Sequence, residues 1–104
     1  MRFPQAYLTK VEEDTDFFEL VKKHTKLTWR GGRYWGLCPF HHEETPSFSF
    51  TVQKQVYYCF GCHKGGGLFQ FVMEMNKVTF PEAVAILAKE LGMPPAEDVE
   101  KGGE

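Results

Sequence analysis

The sequence has few cysteines, no long apolar stretch and almost no net charge. Its three cysteines are an odd number, so internal disulfides cannot use all of them. Residues 1–30 contain no run of about 18 apolar residues and no basic start followed by a short apolar core, so neither a membrane span nor a secretory signal is expected. We therefore expect a cytoplasmic protein with reduced thiols and no membrane partner.

The length and composition favour one small globular domain. The chain has 104 residues, of which 42% are hydrophobic and 25% charged, which argues against both a two-domain enzyme and a disordered tail. A domain of this size often gains stability from a metal or a partner. The net charge of −2 hides a basic segment, because residues 22–64 carry seven lysines and arginines against two acids. Such a segment attracts phosphate.

The pattern of apolar residues predicts an α+β fold, a small antiparallel β-sheet with flanking helices. Asp14 or Thr15 is expected to cap the first helix, and the last helix begins with the spacing of a capping box. A domain over residues 1–93 is predicted. Its elements are a helix over 16–24, the sheet over 26–60 and helices over 67–76 and 80–91, followed by a linker or disordered tail over 94–104.

Two short hooks predict a metal site. Cys38 and His41 have two residues between them, as do Cys59 and Cys62, and each pair follows a predicted strand. Three sulfurs and one nitrogen form a closed tetrahedral set, which is typical of one structural Zn²⁺ ion. The predicted fold is therefore a zinc ribbon.

Other interpretations of these residues remain open. Cys59 and Cys62 could form a redox dithiol, although that chemistry usually lies at the start of a helix. His42 and His63 adjoin the hooks and could compete as ligands, but a residue one position along points away from the metal. His24 is most simply a surface or half-buried side chain.

The sequence lacks a recognisable catalytic centre. Four protein ligands leave no open position on the zinc, and no phosphate-binding loop or positioned acid–base pair is found. The chain is therefore predicted to be a binding module.

Aromatic and basic residues alternate along the predicted sheet. Single-stranded nucleic acid is bound by such surfaces, with cations on the phosphates and rings stacked on the bases. About half of the aromatic side chains in the predicted sheet are expected to pack in the core instead of binding nucleic acid, and Phe48 and Phe50 are the first candidates for the core. Gly65, Gly66 and Gly67 could form an anion-binding nest, but a flexible exit from the second hook is the simpler interpretation. The candidate nucleic-acid contacts are Arg30, Arg33, Trp35, Lys54, Tyr57 and Lys64.

The residues around the hooks resemble a known family. The pattern G-L-C-P-F-H-x-E-x-T-P-S-F over residues 36–48, K-Q-x-Y-x-C-F-G-C over 54–62 and the Gly65-Gly66 pair are similar to the N-terminal zinc-binding domain of bacterial replicative DNA primases, the CHC2 zinc-finger family. The resemblance covers most of residues 14–93.

The resemblance implies a function. Cys38, His41, Cys59 and Cys62 take the family's zinc-ligand positions, and Lys54 takes that of a basic residue suited to template contact. The domain would bind single-stranded DNA template and help select the initiation site for primers made by a separate polymerase core, with a replicative helicase as a further possible partner. The chain has no counterpart of that core and should be inactive alone. Arg33 stands one position later than the family's basic residue, which on a strand would turn it to the other face.

A different class of function is the main alternative. The chain could be a zinc-stabilised adapter that docks a polymerase core or a helicase and binds little DNA itself. The apolar faces of the last two helices would suit such docking. A stand-alone or mobile-element relative with a changed partner is a third possibility.

Overall fold

The computed structural model of the chain describes residues 3–42 and 44–94. In that part, four helices accompany a five-stranded antiparallel sheet whose strands lie side by side in sequence order. The predicted α+β architecture is confirmed. The elements are α1 (Gln5–Asp14), α2 (Phe17–Lys22), β1 (Thr28–Arg30), β2 (Arg33–Gly36), β3 (Phe48–Thr51), β4 (Val56–Cys59), β5 (Gly65–Gly66), α3 (Leu68–Asn76) and α4 (Phe80–Leu91).

The connection between β1 and β2 is a two-residue hairpin turn. Gly31 and Gly32 have φ values of 60° and 91°, a conformation that glycine adopts without steric cost. This turn sets Arg30 directly opposite Arg33. Because β2, β3 and β4 are successively antiparallel, β2 and β4 run in the same direction. Their last residues therefore lie at the same end of the sheet.

The sheet packs one face against the helices, and we call this its inner face. Tyr34, Phe50 and Tyr57 are cross-strand neighbours on the inner face. The ring of Phe17 from α2 lies 5.0 Å from that of Phe50 and 5.7 Å from that of Phe71 in α3, measured between centroids. The prediction that Phe48 and Phe50 form the core is confirmed, since neither has any exposed surface.

Helix α1 was not predicted from the sequence. Its apolar pattern is weak, since Tyr7 and Val11 alone among its residues are buried. The helix is held from outside, because it packs on α4 and the Tyr7 hydroxyl donates a hydrogen bond of 2.8 Å to the carbonyl of Pro94. Tertiary contact therefore stabilises a helix for which local sequence is a poor guide.

The first predicted helix differs in its bounds and its cap. Helix α2 spans Phe17–Lys22 rather than 16–24, and its cap is Asp16, not Asp14 or Thr15. The Asp16 carboxylate accepts a hydrogen bond of 3.1 Å from the Glu19 backbone N–H. Asp16 has the extended backbone that a capping residue requires, whereas Asp14 still belongs to α1.

The sheet extends beyond the predicted range 26–60. Strand β5 consists of two glycines, which have no intrinsic strand preference. It forms because Gly65 and Gly66 pair with Tyr58 and Tyr57 of β4. The glycines after the second hook are thus an edge strand rather than a flexible exit.

The last two helices have nearly the predicted bounds and are part of this chain's own core. Helix α3 begins at Leu68, one residue after the predicted start, and α4 has the predicted range and capping box. Their apolar faces are buried, so they give no support for a docking role. The buried residues are Leu68, Phe71, Val72, Ala83, Val84, Leu87 and Ala88.

Two remaining expectations concern the tail and the membrane. The predicted tail over 94–104 lies outside the described residues apart from Pro94. No helix in the described part of the chain is long and apolar enough to cross a membrane.

Candidate metal centre and nucleic-acid interface

The two hooks meet because of the sheet topology. The first follows β2 and begins at Cys38, and the second begins at Cys59, the last residue of β4. Parallel directions of β2 and β4 bring both hooks to one end of the sheet. The second hook is closed by two backbone hydrogen bonds of 2.8 Å, from His63 N–H to the Cys59 carbonyl and from Cys59 N–H to the Lys64 carbonyl.

The four predicted ligands converge on one point. One ligand atom from each of Cys38, His41, Cys59 and Cys62 lies within 4.8 Å of the others. The Sγ atoms of Cys38 and Cys62 are 3.8 Å apart. Two sulfurs bound tetrahedrally to Zn²⁺ at about 2.3 Å would be separated by about 3.8 Å, so this spacing fits a zinc ion. The residues hold one structural zinc, with all four positions taken by the protein.

The surroundings of the sulfurs favour a metal over free thiols. Cys59 is fully buried and Cys38 is 5% exposed. Without a metal, the pKa of the Cys38 thiol is raised to about 12; burial is the largest cause, the neighbouring cysteines act in the same direction, and a hydrogen bond from the Phe40 backbone opposes them. Zinc reverses this balance, because it binds the thiolate and displaces the proton.

Aromatic packing fixes the first hook on the core. The Phe40 ring lies 5.5 Å from the rings of both Tyr57 and Phe71, and 6.1 Å from that of Phe48. These contacts attach the first hook, which carries Cys38 and His41, to the hydrophobic core.

The competing interpretations of the ligand set lose support. The Nδ1 atom of His63 is 3.0 Å from the Tyr58 hydroxyl, and neither His63 nor His42 belongs to the converging group. Cys59 ends strand β4 and Cys62 follows it, and both lie beside Cys38 and His41 rather than at a helix start. His24 is an exposed residue whose ring contacts Phe71 at 5.8 Å.

We call the opposite side of the sheet its outer face. There, large aromatic side chains pack over small residues. Trp35, Ser49, Tyr58 and Gly65 are cross-strand neighbours in one row. The Ser49 hydroxyl donates a hydrogen bond of 2.9 Å to the Tyr58 carbonyl and is removed from solvent. A Cβ on Gly65 would lie 2.7 Å from Cδ1 of Tyr58, so the Tyr58 ring covers this glycine. Small residues thus leave room for the large rings.

Three of these rings form a continuous aromatic strip, which we define as Trp35, Phe60 and Tyr58. Trp35 and Phe60 are stacked at 5.8 Å with an interplanar angle of 25°, and Phe60 and Tyr58 meet edge to face at 4.8 Å. Phe60 is 50% exposed and Tyr58 36% exposed. The indole N–H of Trp35 donates to the Arg30 carbonyl at 3.1 Å, which orients that ring.

Basic residues flank the aromatic strip. Arg33 and Lys54 line a groove of about 450 Å³ together with Tyr58 and Phe60. Arg30, Arg33 and Trp35 border a neighbouring groove of about 640 Å³. No acid within 3–42 and 44–94 forms an ion pair with Arg30, Arg33 or Lys54. Two arginines directly opposite each other repel, so this hairpin is suited to an anion.

The structure places the remaining predicted contacts differently. Lys64 lies 3.1 Å from the Glu74 carboxylate, so its charge is partly neutralised. Alternation along β2 puts Arg33 on the outer face with Trp35.

The prediction of Tyr57 as a base-stacking residue disagrees with the structure. Its side chain is on the inner face and 2% exposed, because alternation along β4 sends Tyr58 outward instead. The contacts chosen from the sequence therefore left out Tyr58 and Phe60, which the structure exposes. One signal could have found Tyr58: Tyr57 is two residues from Cys59 and must share the face of that buried ligand.

Comparison with known proteins agrees with this geometry. The sequence pattern of the CHC2 zinc finger family matches residues 3–102, which extends beyond the predicted boundary at 93. The chain is 48% identical over 92 residues to a DNA primase of Staphylococcus aureus strain COL, covering 88% of this chain and 15% of the relative. It is 45% identical over 93 residues to the DNA primase of Staphylococcus epidermidis strain ATCC 12228, covering 89% of this chain and 16% of the relative.

A solved structure shares the fold. The crystal structure of the zinc-binding and RNA polymerase domains of the Aquifex aeolicus primase matches with a TM-score of 0.75 and 32% identity. The match covers 85% of this chain and 22% of that one. The present chain therefore spans a small part of the length of its relatives.

Proposed function

The chain belongs to the CHC2 zinc-finger family, and on this premise we propose that it binds the single-stranded DNA template of a bacterial primase and helps to select where a primer begins. The observation that carries the proposal is the aromatic strip flanked by Arg30, Arg33 and Lys54. Bases can stack on exposed rings whatever their identity, while the cations hold the phosphates.

The zinc site serves this surface indirectly. Phe60 lies between the ligands Cys59 and Cys62, so the metal that closes the second hook also fixes a ring of the aromatic strip. The four-ligand site leaves the ion no open position for substrate. Zinc therefore has a structural role, and the chain's own side chains contact the nucleic acid.

Primer synthesis requires a second component. The relatives are several times longer than the matched region, and the Aquifex chain is described as containing zinc-binding and RNA polymerase domains. We expect the present domain to present template to such a polymerase core and to make no primer alone, acting in the cytoplasm. Among residues 3–42 and 44–94, no feature points specifically to a helicase.

The experiment is a titration of zinc-loaded protein with fluorescently labelled oligothymidylate at two salt concentrations. Binding should weaken steeply as salt rises. Arg33→Ala should weaken binding and lower the salt slope by about one, and Phe60→Ala should weaken binding by about fivefold or more.

Matched controls test the location of the surface. Lys89→Ala removes an exposed charge in the last turn of α4, and Trp29→Ala removes a 57% exposed ring from the other side of the sheet. Both should bind like the unaltered protein. If folded, zinc-loaded protein fails to bind at low salt, the template role is wrong and an adapter role takes its place.

A further inference from the structure

His63 has a backbone conformation that side chains disfavour. Its φ is 62°, and the turn it makes lets the chain leave the second hook and return as β5 beside β4. Glycine adopts this conformation without steric cost, whereas a Cβ makes it less stable. The residue is also exposed, so burial does not compensate. Exposed Gln55 and Lys77 also have positive φ, so it is the contact made by the His63 side chain, together with its backbone, that indicates a role.

The imidazole of His63 is directed at the aromatic strip. Its Nδ1 atom is 3.0 Å from the Tyr58 hydroxyl. Tyr58 is 36% exposed, so water could satisfy this hydroxyl without the histidine. The hydrogen bond is therefore not needed to avoid an unpaired buried group. Instead, the hydrogen bond restricts the rotation of the Tyr58 ring.

Tyr58 is consequently held from three sides. Gly65 lies against the Cδ1 atom of the ring, and the Phe60 ring packs on it in an edge-to-face contact with the centroids 4.8 Å apart. His63 forms a hydrogen bond with the hydroxyl group. A ring held in one orientation loses less conformational entropy when a base stacks on it. This arrangement prepares Tyr58 for a flat ligand.

We propose that His63 is a positioning residue of the nucleic-acid surface, acting by holding the Tyr58 ring in its stacking orientation. The inference rests on the proposed function and adds a residue to it. His63 does not contact the bases itself in this scheme, and its effect passes through the Tyr58 hydroxyl.

The test uses His63→Gly, Tyr58→Phe and the double variant in zinc-loaded protein, with oligothymidylate as the probe. His63→Gly should weaken binding by about threefold or more, while zinc content is unchanged and the melting temperature is equal or higher. A purely structural role would lower stability and binding together. Tyr58→Phe keeps the ring and leaves the hook backbone untouched, and it should cause a similar loss. The double variant should lose no more than either single one.

Each contrary result has a distinct meaning. Unchanged affinity of His63→Gly overturns the inference, as does a loss in His63→Gly that Tyr58→Phe does not share, since His63 would then act without the hydroxyl. If His63→Gly binds normally while Phe60→Ala and Arg33→Ala bind weakly, the proposed function stands and the positioning role alone fails. If the unaltered protein does not bind, both fail.

Discussion

The Sγ atoms of Cys38 and Cys62 lie 3.8 Å apart although the residues are separated by 24 positions in the sequence. They belong to different hooks, carried by different strands. One ion between them therefore ties together two segments that are far apart in the sequence.

Cys62→Ser should lower zinc content and melting temperature together. Loss of one ligand removes metal-binding energy that is also folding energy. Zinc can be measured by a colorimetric chelator and stability by circular dichroism. His42→Ala is the matched control, because His42 is an exposed neighbour of a ligand outside the converging group. Unchanged zinc content and melting temperature in Cys62→Ser would contradict the assignment.

Zinc binding should release the proton of the Cys38 thiol, because this cysteine carries no disulfide and binds the metal as a thiolate. The pKa of Cys38 is raised from 9.0 to about 12 by burial, so this thiol remains protonated in the metal-free chain at pH 9. Zinc binding should thus still release the Cys38 proton at pH 9, where an ordinary thiol is already half ionised. Calorimetry in two buffers of different ionisation enthalpy measures the number. Zinc binding without proton release at pH 9 would exclude ligation by the Cys38 thiolate.

Gly65→Ala should destabilise the domain and weaken DNA binding. The added methyl group would lie 2.7 Å from Cδ1 of Tyr58 and 3.0 Å from the Tyr57 carbonyl, so the ring must move. We expect a loss of about 1–3 kcal/mol in unfolding free energy. Gly67→Ala is the control, since the nearest atom is 3.9 Å from its added Cβ. Its cost should be a few tenths of a kcal/mol, roughly that of a changed helix cap. Equal stability of the two variants would refute this reason for glycine at position 65.

Tyr57→Phe should leave DNA binding unchanged and raise stability by about 1 kcal/mol. The Tyr57 hydroxyl is buried and has no hydrogen-bond partner among residues 3–42 and 44–94, and removing it relieves the cost of an unpaired polar group. Burial also raises the pKa of this hydroxyl, so the group stays neutral at every pH where the domain is used. Denaturant titration and the oligothymidylate assay measure the two effects. If Tyr57→Phe weakened DNA binding at unchanged stability, Tyr57 would contribute to nucleic-acid binding after all.

Local patterns were sufficient for several elements. The capping box and apolar stripe of α4 predicted residues 80–91 without error, because both signals lie within the helix itself. The strand β4 and its turn with β3 followed from alternation and turn residues in the same way. Helix α1 and strand β5 were missed because each depends on a partner outside the element itself: Pro94 and α4 for the helix, Tyr57 and Tyr58 for the strand.

The sequence by itself determined the zinc ligands. The spacing of Cys38–His41 and Cys59–Cys62 is a local property of two tight turns, and few other arrangements of three cysteines and a histidine serve a metal equally well. The tertiary structure decided which rings face solvent, although the spacing of Tyr57 from Cys59 already indicated the face of that one ring. A side chain's face depends on strand register and on the helices packed against one side, so Tyr57 became core while Tyr58 and Phe60 joined Trp35 beside the arginines.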